Sequence, residues 1–283
     1  MAVQLGVAFS SQIKGIAAIA GGIYGCSGGI PALAINICMK NPAVIEPQQF
    51  ADLTQAAYGK KLIDDPANLA QQRVFILNGT DDETVLPIAG RKLEEFYQKF
   101  HATPRTEFGL EMGHGFPSNK GKNKCSESAA PWLNHCDYHG AKEILETFYG
   151  PLKAASEESN SENLLVMDQI EFANPLALMA TQGHIYIPKT CRAKGSHCRL
   201  HIALHGCRQS PSAVGDAFVW GSGYNEWADR NKIVVLYPAA RVSLMNPNGC
   251  WDWFGYTGND YAFRSSRQMT AIMNMVQHLT RMP

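Results

Sequence analysis

The sequence predicts an α/β fold, a mainly parallel sheet flanked by helices, on three observations. Short buried apolar runs alternate with stretches of helical spacing along the chain. Glycine, proline and small polar residues punctuate the changes between them. The 283 residues are 45% hydrophobic and only 18% charged, which suits one large core, so a single domain over residues 1–283 is expected.

The elements follow in order. Residues 1–9 carry Val3 and Val7 at helical spacing, with Leu5 and Phe9 beside them, and 15–20 reads as a short buried strand ending at Gly21-Gly22. A second buried strand at 73–77 runs into an acidic loop that starts at Gly79, and 88–100 has the spacing of an amphipathic helix. A third strand at 106–112 ends on Gly113-His114-Gly115-Phe116-Pro117. A polar loop with Cys125 and Cys136 then leads to a helix at 141–149. The Ser/Glu-rich stretch 154–163 reads as a surface connection within the one domain. Beyond it are expected a strand at 184–188 with a hairpin partner at 200–204, a helix around 213–229, a strand at 232–237, an aromatic loop at 250–256 and a final helix at 266–279. No internal repeat interrupts this order.

Lys+Arg and Asp+Glu both count 25. A formal charge of zero gives no long-range field for nucleic acid or an acidic membrane surface, so a neutral substrate is expected and no nucleic-acid partner. No stretch reaches the roughly 18 unbroken apolar residues of a membrane span. Of the eight cysteines, Cys26 and Cys38, Cys125 and Cys136, and Cys191 and Cys198 form three close pairs with spacings of 12, 11 and 7, and Cys207 and Cys250 complete the set. Close pairs in Gly/Ser/Lys-rich loops suit short disulfide staples in an oxidising compartment better than zinc sites. The other reading is buried free thiols. Residues 1–11 lack the basic start, apolar stretch and cleavage site of a signal peptide, so an incomplete N-terminus is expected. No metal and no organic cofactor is expected, since no His/carboxylate cluster has ligand spacing and no Gly-rich phosphate loop follows a strand.

In α/β-hydrolases the acid and the histidine lie on loops after sheet strands, in the chain order Ser, acid, His. The loop Gly79-Thr80-Asp81-Asp82-Glu83-Thr84-Val85 leaves a buried strand, where a carboxylate can orient an imidazole and stabilise its charged form. His114 leaves the next strand between two glycines, which let the backbone bend there. His205-Gly206-Cys207 follows the strand at 200–204 and resembles the turn whose next backbone N–H donates into an oxyanion hole, a donor that contributes about 3 kcal/mol to the transition state.

The runs Met1-Ala2-Val3-Gln4-Leu5-Gly6-Val7-Ala8, His114-Gly115-Phe116-Pro117, Leu204-His205-Gly206-Cys207-Arg208-Gln209-Ser210, Gly223-Tyr224-Asn225-Glu226-Trp227-Ala228-Asp229 and Asn246-Pro247-Asn248-Gly249-Cys250-Trp251-Asp252-Trp253 resemble the single-domain, circularly permuted polyhydroxybutyrate depolymerases over nearly the whole chain. The resemblance implies a permuted α/β-hydrolase, with Asp82 as the triad acid in preference to Asp81, His114 as general base and the Cys207 N–H as oxyanion donor. It also implies the bridges Cys26–Cys38, Cys125–Cys136, Cys191–Cys198 and Cys207–Cys250. Trp251 and Trp253 resemble aromatics that line the polymer crevice and are expected to bind substrate, with core packing under a disulfide as the alternative.

The family's nucleophile sits on a Gly-x-Ser-x-Gly elbow before the helix that here begins at Met1, so the chain is expected to lack its serine and the strand that carries it, and to be inactive. Gly25-Cys26-Ser27-Gly28-Gly29 matches that pattern formally. Cys26 is better explained by a bridge to Cys38, and Ser27 would lie one strand over, about 4.8 Å from the elbow's column. Hydrolysis of poly(3-hydroxybutyrate) or its oligomers by a secreted or periplasmic enzyme is the leading expectation. A non-catalytic polymer-binding remnant and a general short-chain or feruloyl-type esterase are the alternatives.

Overall fold

The computed structural model describes residues 1–281. Ten strands form: β1 (Gly15–Ile19), β2 (Arg73–Leu77), β3 (Arg105–Glu107), β4 (Phe116–Pro117), β5 (Asn123–Lys124), β6 (Leu133–His135), β7 (Leu164–Asp168), β8 (Gln182–Tyr186), β9 (Arg199–Ile202) and β10 (Ile233–Tyr237). They assemble as a parallel sheet β1-β2-β3, a mixed sheet β7-β8-β10-β9 and a small parallel sheet β4-β6-β5. In the mixed sheet β10 runs parallel to β9 and antiparallel to β8.

Alternate side chains of β1, β2 and β10 enter opposite apolar layers, as the twofold repeat of a strand requires. Ile16 and Ala18 of β1, Val74 and Ile76 of β2, and Leu236 of β10 join one layer with Val3, Leu5 and Val7 of the helix Ala2–Ala8 and Leu93 and Phe96 of the helix Ile88–Gln98. Phe75 and Leu77 of β2 and Ile233, Val235 and Tyr237 of β10 join the other, with Ile144 and Leu145 of the helix Gly140–Tyr149. Both larger sheets thus share the same two layers. Strands buried on both faces read as continuous apolar runs, which is why β2 and β10 stand out in sequence.

The two sheets meet under the C-terminal end of the helix Gly140–Tyr149. Arg73 of β2 donates to the Phe148 carbonyl, the Phe148 ring lies 5.8 Å from that of His201 in β9, and the Tyr149 hydroxyl donates to the Leu200 carbonyl at 3.3 Å. Among the described residues β1 pairs only with β2, and β9 only with β10.

The expected α/β class and parallel strands are present, and three expectations change. The third strand stops at Glu107 instead of 112, because the chain beyond it turns to serve the acidic loop, with the Thr80 N–H donating to the Leu110 carbonyl at 2.9 Å. β9 is not the hairpin partner of β8, since β10 lies between them. The helix expected over 213–229 is three pieces, Pro211–Val214, Ala217–Gly221 and Tyr224–Asn231, separated at Gly215 and Gly223, whose φ values of 59° and 86° are left-handed. Strand β7 and the helix Pro47–Gly59 complete the architecture without having been expected.

Candidate active site

Asp82 and His114 come together from neighbouring loops. β2 delivers the chain to Gly79, where a Cβ would lie 2.0 Å from the Met112 carbonyl oxygen, so only glycine lets the two loops cross so closely. Asp82 is 2% exposed. Its Oδ1 accepts from the backbone N–H groups of Thr84 at 2.8 Å and Val85 at 2.9 Å, and its Oδ2 lies 2.8 Å from His114 Nδ1. The adjacent Asp81 is exposed and stands beside the Thr80 hydroxyl.

A carboxylate held by two amides fixes the imidazole tautomer with the proton on Nδ1, leaving Nε2 as acceptor. The His114 ring is half-buried. Its backbone N–H donates to Ser128 Oγ at 2.7 Å, and the Gly113 N–H donates to the Cys125 carbonyl, so the loop stapled by Cys125–Cys136 positions it. Among the described residues no hydroxyl or thiol hydrogen-bonds to His114 Nε2.

The 205–209 turn stands on a buried histidine. His205 Nδ1 lies 2.7 Å from the Gly206 carbonyl oxygen and its Nε2 accepts from the Ala240 N–H at 3.1 Å, while Trp251 Nε1 donates to the His205 carbonyl at 3.1 Å. Burial pushes the His205 imidazole down to about 4, against a smaller upward effect of the Gly206 carbonyl. A neutral ring with the proton on Nδ1 satisfies both contacts. The Gly206 N–H is taken by Gln209 Oε1 at 2.8 Å and the Arg208 N–H by the Asn248 carbonyl at 2.6 Å. Between them the exposed Cys207 N–H has no partner among the described residues. Gln209 Nε2 donates onward to the carbonyls of Pro131 and Trp132, and the Trp132 ring lies edge-on to His114 at 6.2 Å. This chain of contacts joins the turn to the Asp82–His114 pair. Sequence reasoning assigned Gln209 no role, although it stands inside the quoted run 204–210.

The remaining candidates separate. Ser27 is fully buried, its Oγ donating to the Trp253 carbonyl at 2.9 Å and lying 2.9 Å from Tyr261 Oη, with no contact to His114. Trp251 is 4% exposed, its ring tilted by 37° against that of His205 at 5.2 Å, so it supports the turn from inside. Trp253 is half-buried against Phe254. The four bridges are Cys26–Cys38, Cys125–Cys136, Cys191–Cys198 and Cys207–Cys250, leaving no free thiol among the described residues.

Helix-flanked parallel strands with an acid and a histidine on successive loops define a protein of the α/β-hydrolase class. No protein-family model matches the chain. It is 35% identical over 285 residues to a poly(3-hydroxybutyrate) depolymerase of Delftia acidovorans, spanning 99% of this chain and 57% of that protein. It is 33% identical over 298 residues to a polyhydroxybutyrate depolymerase of Talaromyces funiculosus, spanning 99% of this chain and 86% of that one. The crystal structure of PHB depolymerase from Penicillium funiculosum superimposes with a TM-score of 0.86 at 32% identity, over 97% of this chain and 90% of that one. A serine-to-alanine PHB depolymerase complexed with an R3HB trimer matches to the same degree. The chain belongs to the polyhydroxybutyrate depolymerase family.

Proposed function

We propose that the protein is a serine esterase that hydrolyses poly(3-hydroxybutyrate) or its oligomers. The observation that carries this reading is the Asp82–His114 pair, held at 2.8 Å and joined through Gln209 to a turn with a free backbone donor. In the proposed reaction a serine Oγ attacks the ester carbonyl as His114 Nε2 takes its proton. The tetrahedral oxyanion accepts from the Cys207 N–H, and His114 then returns the proton to the departing alcohol. Water repeats the sequence on the acyl-enzyme. Asp82 stays ionised and stabilises the imidazolium.

The serine is not among the residues beside His114. β1 and β9 each have one edge without a strand partner among the described residues. Four disulfides support export to an oxidising compartment. Among the described residues no helix is long and apolar enough to cross a membrane.

The test is release of 3-hydroxybutyrate from a polymer suspension by the purified protein, with fluorophosphonate labelling and peptide mapping in parallel. Release that His114→Ala and Asp82→Asn abolish supports the reading. Adsorption to polymer with neither release nor label would overturn it in favour of a binding protein. Turnover confined to short esters would reassign the substrate.

A further inference from the structure

The Gly25-Cys26-Ser27-Gly28-Gly29 motif, whose serine is buried out of contact with His114, forms part of the wall of a pocket. The pocket has a volume of about 250 Å³ and lies between the helix Pro47–Gly59 and residues 259–263. Tyr24, Phe50, Leu53, Ala57, Tyr261 and Phe263 line it. The tyrosine hydroxyls are turned to the protein: Tyr24 donates to the Ala262 carbonyl at 2.6 Å, and Tyr261 lies within reach of Ser27 Oγ and the Gly25 carbonyl. They leave the walls apolar.

The other polar lining residues, Lys60 and Asn259, are both exposed and so stand at the mouth. Lys60 has no ion pair among the described residues, and no carboxylate lines the pocket. Apolar walls closed by one unpaired cation select an amphipathic anion: the tail is desolvated inside while the charge stays in contact with water and the ammonium. The volume falls below the roughly 300–1,000 Å³ typical of sites for drug-sized ligands, so the occupant is small.

We propose that this pocket binds a short-chain monocarboxylate, with its apolar tail against Phe50 and Phe263 and its carboxylate on Lys60.

The test is calorimetric titration with sodium hexanoate and, separately, 1-hexanol, which reads binding without turnover. Hexanoate is expected to bind saturably at one site and more tightly than hexanol. Lys60→Met should weaken it about three- to fivefold, the worth of an exposed ion pair. Ala56→Trp, at an exposed lining position of the helix, should abolish it, and His114→Ala should leave it unchanged. Circular dichroism checks that each variant is folded. Absence of saturable binding, or binding indifferent to both Lys60→Met and Ala56→Trp, would overturn the proposal. So would hexanol binding as tightly as hexanoate.

Discussion

Asp82 accepts three hydrogen bonds, two from backbone amides and one from His114, so exchanging its carboxylate for an amide changes the imidazole and not only the charge. Asp82→Asn would present an NH₂ or a weaker acceptor to Nδ1 and favour the wrong tautomer. The expected cost is about 10³–10⁴-fold in kcat for ester hydrolysis, with an unchanged fold, and a folded variant retaining more than a tenth of the activity would contradict the pair's assignment. Gln209 acts at one remove, holding the Gly206 N–H with Oε1 and two loop carbonyls with Nε2. Gln209→Ala should lower kcat by about ten- to a hundredfold with KM little changed, because only the transition state uses the oriented donor. A KM effect without a kcat effect would make Gln209 a substrate contact instead. The acidic loop and the His114 turn are legible as sequence because glycines follow buried strands. The contact between them is not, since nothing local decides which of Asp81 and Asp82 turns inward. Gln209 is illegible for a similar reason: its partners, Pro131 and Trp132, are nearly eighty residues away.

β9 shows what alternation of elements can and cannot reveal. Its apolar residues mark a strand, but its neighbour is β10, which comes later in the chain, and no short-range signal separates that order from a hairpin with β8. The same strand buries His201, whose ring packs 4.7 Å from Tyr224 and 5.8 Å from Phe148. Burial holds its imidazole down to about 3, from an ordinary value of 6.5. The unfolded chain therefore takes up a proton below about pH 6.5 that the folded protein refuses until far lower pH. The neutral ring costs the fold nothing at pH 7, and stability falls progressively as the pH drops through this window. For His201 the loss reaches on the order of 3 kcal/mol by about pH 4, and His205, held at about 4, adds to it. Thermal melts from pH 7 to pH 4 should show a shallower decline for His201→Phe, which keeps an aromatic ring against Tyr224, than for the native protein. Parallel declines would mean that carboxylates elsewhere set the acid limit.

At the scale of the whole molecule, two sheets share two apolar layers, and covalent ties hold the loops that the layers do not reach. The Cys207–Cys250 bridge is the longest of these, with a sequence separation of 43. It fastens the 205–209 turn to the loop that carries Trp251, whose indole in turn holds the His205 carbonyl. Closing a loop of this size removes unfolded-state entropy equivalent to about 4 kcal/mol, which for a domain this large corresponds to a fall on the order of 10 °C in Tm when the bridge is lost. Chemistry and stability separate at this bond, because Cys207 would donate through its backbone N–H while the sulfur only ties the turn down. The double variant Cys207→Ser/Cys250→Ser keeps the amide, and Trp251 and Gln209 still hold the turn from two sides. It is therefore expected to melt on the order of 10 °C lower by scanning calorimetry, yet to hydrolyse a short p-nitrophenyl ester at 20 °C within about tenfold of the parent. A folded variant at that temperature with far lower activity would show that the bridge itself aims the donor, and that the noncovalent contacts at Gly206 and His205 are too weak to do so alone.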